Sequence, residues 1–591
     1  IFSDLVLHHD LCYLFVGLPV NWHVSPSTSY ENRILQLSYF YPDYQLLFDN
    51  IGVPGANPWF RSNDVMDFHL QPYDINVCGL NTDPIYYSDL YYELALNYNK
   101  SFGKHTVSGL ALFNRQQKNK GTEFPYYNEG LVGRATYDYN KKYLLELNVG
   151  YTGSERFAPD KRFGFFPSAA VGWVISEEQF FKNAAPWVNK LKVRYSDGLV
   201  GSDYAKNRWL YTSSYYKDDR GYIREDLGPN IYAQWETAHK RDLGLELGLF
   251  KNVLTFSIDF FDEYRDKMLV TPRTVTMLVG NSYKEKNLGS LKKHGFEIET
   301  EFRKSPTPDF EYFVKGLFGF NENRVIFKDD PKYAPDYWKL AGKPLTDLLS
   351  VEFGIEGLEM NQVQLTGSGY FTSVDDIHNN PAPIDVTKLY VGDYKFLDYT
   401  ADGRITSLDK YPGKGLTYPP ITYSFSSGFT YKNFDFNCMF QGNIGKYVQF
   451  NQGYEVEFIK GDWRVHKSQL DYWSPTNLDA NHATLHYSGG SSTENIFWGG
   501  GEEDRGYQIM IQNRFFRNAD YLRLKDIYVG YTFKPVLLEK MIGVSKLLVY
   551  ATGNNLITFT KLIEGDPERK DFQQGFYPIM TSIKLGVKLV F

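Results

Sequence analysis

The closing stretch of the chain constrains the fold more than any other. Ile583, Leu585, Val587, Leu589 and Phe591 fall on one side of a period-two pattern, and Lys584, Gly586 and Lys588 on the other. Terminal residues fray unless something ties them down, yet here the apolar face runs to a final aromatic. The same alternation recurs upstream. Leu243, Leu245, Leu247 and Leu249 oppose Asp242, Gly244, Glu246 and Gly248, and Leu254, Phe256, Ile258 and Phe260 oppose Thr255, Ser257 and Asp259. Phe296, Ile298, Thr300 and Phe302 likewise oppose Glu297, Glu299, Glu301 and Arg303. A chain patterned this way is all-β, with one apolar and one polar face per strand.

Two architectures satisfy such strands. A soluble sandwich turns the apolar face inward, whereas a transmembrane antiparallel β-barrel turns it outward to lipid. The joints separate them. Short polar joints occur at residues 101–104, 140–142, 251–252, 305–309 and 432–433. Long excursions cover residues 117–130, 153–165, 199–235, 265–291, 324–420, 442–518 and 557–577. Tight turns at one end and long loops at the other is the barrel arrangement, turns periplasmic and loops extracellular. From Tyr86, about fifteen strands alternate direction without conflict and bring the C-terminus to the periplasmic end. Two turn-side joints are longer, 176–189 and 534–546, and the second reads as a short helix between Pro535 and Gly543. Near Tyr521 the phase slips, with Leu522 and Leu524 giving way to Ile527, Val529, Tyr531 and Phe533. A one-residue bulge near Lys525 or Asp526 keeps both sets on one face.

Residues 86–591 thus read as barrel. Residues 1–85 are poorly legible and hold one or two strands or discontinuous fragments. The chain starts at Ile1 without an initiator Met or signal-peptide pattern, so further N-terminal sequence is expected. No run of eighteen apolar residues is present, which excludes helical membrane spans. The 47 Tyr and 44 Phe suit both interfacial girdles and sugar-stacking surfaces. The 63 basic and 70 acidic residues are spread along the chain, leaving no basic block to recruit nucleic acid. Cys12, Cys78 and Cys438 are too widely separated for a metal or disulfide motif.

One stretch has ligand-like spacing. In DYTADGRITSLD, residues 398–409, Asp398, Thr400, Asp402, Thr406 and Asp409 offer side-chain oxygens and Arg404 its carbonyl, with Gly403 at the sharp turn. That is the pattern of an EF-hand calcium loop, although the twelfth residue is Asp rather than Glu and no flanking helices are evident. The alternative is a cation-free Asp/Gly turn satisfied by its own backbone. Trp209, Trp338, Trp463, Trp473 and Trp498 lie in the long excursions. They are candidate glycan contacts through ring stacking, or else pack their own loops. Glu297, Glu299 and Glu301 form either a negative strip or the wetting of a water-filled interior. Catalysis has no support, since no phosphate loop, GxSxG elbow or HExxH helix is found.

Several blocks resemble a known family. GLVGRATYDYNKKYLLELNVGYTGSERF from Gly130, FGFFPSAAVGWVISEEQFF from Phe163, WETAHKRDLGLELGLFKNVL from Trp235, NLGSLKKHGFEIETEF from Asn287, YLRLKDIYVGYTF from Tyr521 and YATGNNLITFTK from Tyr550 are similar to the SusC/RagA branch of TonB-dependent outer-membrane transporters, in that family's order. The terminal alternation ending on Phe591 resembles the signal read by the barrel-insertion machinery. The resemblance implies a twenty-two-stranded barrel in the bacterial outer membrane, whose plug domain and TonB segment are not visible in this sequence. It also implies a SusD-like surface lipoprotein as partner and TonB-energised import of oligosaccharides or oligopeptides. The competing expectations are a TonB-linked receptor for a small chelate such as a siderophore, without a lipoprotein lid, and a secreted β-rich glycan-binding protein.

Overall fold

The computed structural model describes residues 5–10, 19–31, 44–46, 59–61, 85–120, 124–276, 278, 280–337, 339–345, 361–363, 365–380, 390–403, 409–412, 418–450, 470–484, 516–533, 540, 543–562, 565–569, 571–572 and 579–590. The chain divides into two compact units, Ile1–Asn97 with Ala111–Leu131 and Tyr98–Leu110 with Val132–Phe591.

In the larger unit the strands Tyr143–Ser154, Phe163–Val174, Val188–Ser202, Glu236–Leu249, Leu254–Val270 and Lys286–Thr307 follow one another, each antiparallel to the last. The meander continues through Phe310–Phe327, Ile421–Tyr431, Phe434–Ile444, Tyr521–Phe533, Lys546–Thr560 and Ser582–Val590. Three earlier strands, Ile85–Phe102, His105–Lys120 and Tyr126–Tyr139, have one end in each unit. From Ile85 onward the large sheet therefore has fifteen strands among the described residues.

All five short joints are tight turns. Left-handed backbone at Gly103, Asn140, Lys141, Phe250, Lys251, Asn252 and Lys432 reverses the chain at four of them. Several of the long joints are shorter than the alternation suggests. Strand structure runs to Lys120 and resumes at Tyr126, so most of 117–130 is strand, and 153–165 shrinks to the residues between Ser154 and Phe163. Backbone hydrogen bonding continues past the apolar band, where both faces turn polar and the period-two signal fades. The joint after Val174 carries a single turn, Ile175–Glu177, and a helix, Gln179–Ala184. Of the helix expected between Pro535 and Gly543, only Lys540, which is helical, and Gly543, at φ +73°, are among the described residues.

Register aligns the apolar residues into rows. Leu243 faces Phe260, Phe296 and Phe320 in successive strands, and Leu245 faces Ile258, Ile298 and Phe318. Among the described residues no second layer covers these rows: Leu243 is 47% exposed and Phe260 52%, and none of the four leucines from 243 to 249 is buried. Leu585 reaches 83%. The buried apolar clusters lie at the loop ends instead, as Phe157, Leu210, Ala233 and Leu269, as Met268, Val270, Leu291 and Val325, and as Val448, Ala519 and Leu562. A sheet whose mid-strand apolar face is open and whose compact cores sit in its loops is built for lipid, not for a sandwich interior.

Exposed aromatics border this face at both ends. Tyr143, Trp173, Trp187 and Phe250 stand at the turn end, and Tyr151, Phe163 and Phe165 at the loop end. Along Phe163–Val174, a rise of about 3.3 Å per residue and a tilt of about 40° put Phe163 and Trp173 roughly 25 Å apart across the band, the height of an outer-membrane apolar belt.

The bulge falls at Lys525. Met439 pairs with Asp526 and Phe440 with Leu524, and on the other side Leu524 pairs with Ile557 and Asp526 with Asn554. Against Phe434–Ile444 Lys525 is the extra residue, and it restores the apolar side to Ile527, Val529 and Tyr531; against Lys546–Thr560 the extra residue lies in the partner strand, where Asn555, at φ 53°, and Leu556 stand opposite Lys525.

The smaller unit contains Leu5–Asp10 paired with Pro19–Glu31, which pairs in turn with Ile85–Leu96 of the next strand. A short ladder joins Tyr44–Leu46 to Trp59–Arg61. Its two-faced pattern is the same, with Leu94 exposed beside buried Ala95. Gln116 donates to both Asp89 oxygens at 2.9 and 2.8 Å, and Asn119 to Ser88 at 3.1 Å.

Candidate functional site

The polar face of the larger unit is a network of compensated charge. Lys190 and Lys192 reach Glu246 at 2.6 and 3.1 Å, and Arg194 reaches Asp242 at 3.1 Å. Arg194 also pairs with Asp259, two strands away, because intervening Gly244 has no side chain: a Cβ there would stand 2.5 Å from Arg194 Nε and 2.6 Å from the Asp259 carboxylate. Further on, Glu301 pairs with Arg303 at 2.7 Å, Arg303 with Glu311 at 2.5 Å, and Glu299 with Lys315. The row Glu297, Glu299 and Glu301 is therefore largely neutralised rather than a bare negative strip. Such a face is polar and close to charge-balanced, as the interior of an outer-membrane barrel is polar.

At the loop end the charges become buried. Arg523, only 2% exposed, donates to Thr558 Oγ1 at 2.8 Å and Asp566 at 2.7 Å, and its other terminal nitrogen lies 2.9 Å from Glu568. Lys525 donates to both Glu568 oxygens at 2.9 Å, a reach the bulge gives it. Lys446 donates to the carbonyls of Pro567 and Arg569 at 2.7 and 2.6 Å. Burial pushes its ammonium down to about 8, against the opposing pull of Glu568 and Asp566. Asp520 receives the backbone N–H groups of Gly445 and Lys446 at 2.7 and 3.1 Å. This node ties the turn at Asp566–Arg569 to the start of the 442–518 excursion.

Two excursions interlock in a second loop-end knot. Leu365–Tyr370 pairs with Tyr394–Phe396, and the Tyr370 and Tyr394 rings stack at 5.7 Å. From the later excursion, the Ala480 carbonyl accepts from Tyr370 Oη at 2.7 Å, and Thr484 N–H donates to Gly392 O at 3.0 Å. Trp473 is buried in this knot, its ring against Gly392, whose left-handed backbone, φ +96°, and missing side chain permit the contact. It packs its own loop against the earlier excursion and is buried from solvent. Trp209 is half-buried, with the Arg208 guanidinium 4.3 Å above its ring and Lys284 donating to its carbonyl at 3.1 Å. Trp338, Trp463 and Trp498 lie outside the described residues.

In the 398–409 loop, Asp398 and Asp409 converge on Thr400. Its hydroxyl donates to Asp409 at 3.0 Å and lies 3.3 Å from Asp398, and its N–H donates to Asp409 at 3.0 Å. Gly403 N–H, at φ +80°, donates to Asp398 at 2.8 Å. The backbone thus supplies these carboxylates with donors, as an Asp/Gly turn requires. Arg404 and Thr406 lie outside the described residues. Among the described residues no three His, Cys, Asp or Glu side chains form a metal-type cluster. Ile583, Leu585, Val587 and Leu589 share one side of the last strand and are exposed, as are Lys584 and Lys588 on the other, and Phe591 lies outside the described residues. Sequence inspection missed Arg523, Lys446 and Tyr370. Only the acid pair Asp566 and Glu568, next to a loop end, offered a signal.

Comparison with known proteins follows the same lines. No family model matches the chain. TonB-dependent receptor P3 of Formosa agariphila is 26% identical over 558 residues, covering 84% of this chain and 52% of the relative. TonB-dependent receptor SusC of Bacteroides thetaiotaomicron is 25% identical over 471 residues, covering 78% of this chain and 43% of the relative. Among solved structures, a chain of the RagAB peptide transporter superposes with TM-score 0.63 at 18% identity, covering 97% of this chain and 59% of that one. The "open-open" RagAB peptide importer gives TM-score 0.65 at 17% identity, covering 100% and 62%. The chain spans about half the length of the curated relatives it matches. The fold is that of an antiparallel transmembrane β-barrel.

Proposed function

We propose that this chain, SusC/RagA-like in sequence and fold, is the barrel portion of an outer-membrane active transporter that imports oligosaccharides or oligopeptides. Energy would come through TonB, and a SusD-like lipoprotein would cover the loop end. The observation that carries this reading is the likeness to SusC over 78% of the chain and to the fold of the RagAB importer over all of it, joined to an apolar outer face and a compensated polar one. In this reading the turns and the C-terminus are periplasmic, the loop knots shape the mouth, and the polar face lines a watery path.

Purification of the native complex from outer membranes tests it. A co-purifying surface lipoprotein, and loss of growth on a defined glycan or peptide when the gene is deleted, are the expected results. A solitary barrel that restores uptake of an iron chelate would replace this reading with that of a siderophore receptor.

A further inference from the structure

Ion pairs neutralise much of the polar face of the larger unit, but one stretch in the turn-end half of its last four strands is left open. Two adjacent register rows cross those strands: Asn437, Tyr528, Thr552 and Lys584, and beside them Asp435, Gly530, Tyr550 and Gly586. By alternation all of them take the side opposite Val529, Val549 and Leu585. Within the described residues no hydrogen bond or ion pair engages the side chains of Asn437, Tyr528, Tyr550, Thr552 or Lys584. The next row toward the loops is closed, with Asn554 donating to Asp526 and Ser582 lying 3.3 Å from Asn554 Oδ1. Glycines let the two tyrosine rings lie down on the wall. A Cβ at Gly586 would run into the Tyr550 ring, and one at Gly530 would meet Tyr528 Oη at 2.5 Å. The rings sit 5.9 Å apart between centroids and within 25° of parallel. Both tyrosines are half-buried, whereas Asn437 and Lys584 at their rim are exposed.

We propose that Tyr528 and Tyr550 form a saccharide-binding platform on the polar face. Each ring takes the apolar C–H face of a sugar ring, while Asn437, Thr552, Lys584 and Asp435 meet the hydroxyls around it. An oligosaccharide is the occupant because it pairs flat apolar faces with a rim of hydroxyls, the complement of two flat rings bordered by unmatched donors and acceptors. A peptide finds no backbone to pair with here, since the strands that carry Tyr528 and Tyr550 are bonded on both sides. Asp435 accepts from Thr430 at 2.7 Å and keeps lone pairs for a further donor. The platform rests on the transporter reading above and narrows its cargo to sugar.

Calorimetric titration of the full-length protein, purified from outer membranes, with maltohexaose, cellohexaose, xylohexaose and mannohexaose tests this, with hexaalanine as the peptide control. One hexasaccharide should bind, and Tyr528→Ala and Tyr550→Ala should each weaken it about five- to tenfold. Tyr550→Phe should bind as the parent does, and Gly586→Ala, which lifts the ring, should behave like Tyr550→Ala. The fluorine resonance of 3-fluorotyrosine placed at 550 should shift on addition of the bound sugar. A resonance unmoved by a bound hexasaccharide overturns the platform even where the alanine variants fail to fold. Equal binding by well-folded alanine variants overturns it too, and so does binding of hexaalanine alone or of no hexasaccharide. None of these outcomes touches the transporter reading, which fails only if a deletion strain grows unimpaired on every defined glycan and peptide.

Discussion

Arg194 reaches Asp259 across an intervening strand, over the bare backbone of Gly244. Any side chain at 244 must displace that guanidinium. Gly244→Leu should therefore destabilise the protein by about 1–3 kcal/mol, the usual cost of overpacking. Gly316→Ala, whose new methyl would meet only Thr300 Cγ2 at 3.4 Å, should be nearly neutral. Thermal unfolding in detergent, read as the heat-dependent gel shift of a barrel, measures both.

Arg523 is the most buried cation of the loop-end node and serves Asp566 and Glu568 together. Removing one partner of a buried ion pair leaves the other charge uncompensated and costs about 3–5 kcal/mol. Arg523→Ala should free the turn around Asp566 and, through Lys446, the start of the neighbouring excursion. Hydrogen exchange should rise in both segments. A rise confined to 565–572 would show that the two loops are not coupled.

Lys446 sets a pH dependence. Its folded value of about 8 lies below the ordinary 10.5, so between those limits the unfolded chain binds more protons than the folded one. This group's contribution to stability therefore rises with pH from about 8 to 10.5, is fully present above that window, and is lost as pH falls through about 8. Carbon-13 NMR of ε-labelled lysine should show one resonance titrating near pH 8, absent in Lys446→Met.

The two faces of a strand should respond oppositely to charge. Leu245→Arg, in the middle of an apolar row, should cost about 2–4 kcal/mol, the penalty for Arg near the bilayer midplane. Ser257→Arg, on the polar face beside Glu246, should be tolerated. Folding yield into lipid vesicles distinguishes them, and equal tolerance would mean that the apolar rows do not face lipid.

Much of this was legible in the chain itself. Period-two alternation gave the faces of Glu236–Leu249, Leu254–Val270 and Ser582–Val590, and a one-residue slip in it located the bulge at Lys525. Joint lengths gave the two ends of the sheet. The reading failed where both faces become polar, as at 117–130, because a hydrogen-bonded ladder needs no apolar side chains to persist.

Tertiary structure alone decided which residues meet at the loop ends. Tyr370 and Ala480 are 110 residues apart and Lys446 and Pro567 are 121 apart. No local period links such positions. Alternation reports which side of a strand a residue takes, since that is fixed by the backbone two residues at a time. Whether Trp473 meets substrate or its own loop, and whether Glu299 stays charged to its surroundings or is neutralised by Lys315, depends on chain segments brought together only by the folded sheet.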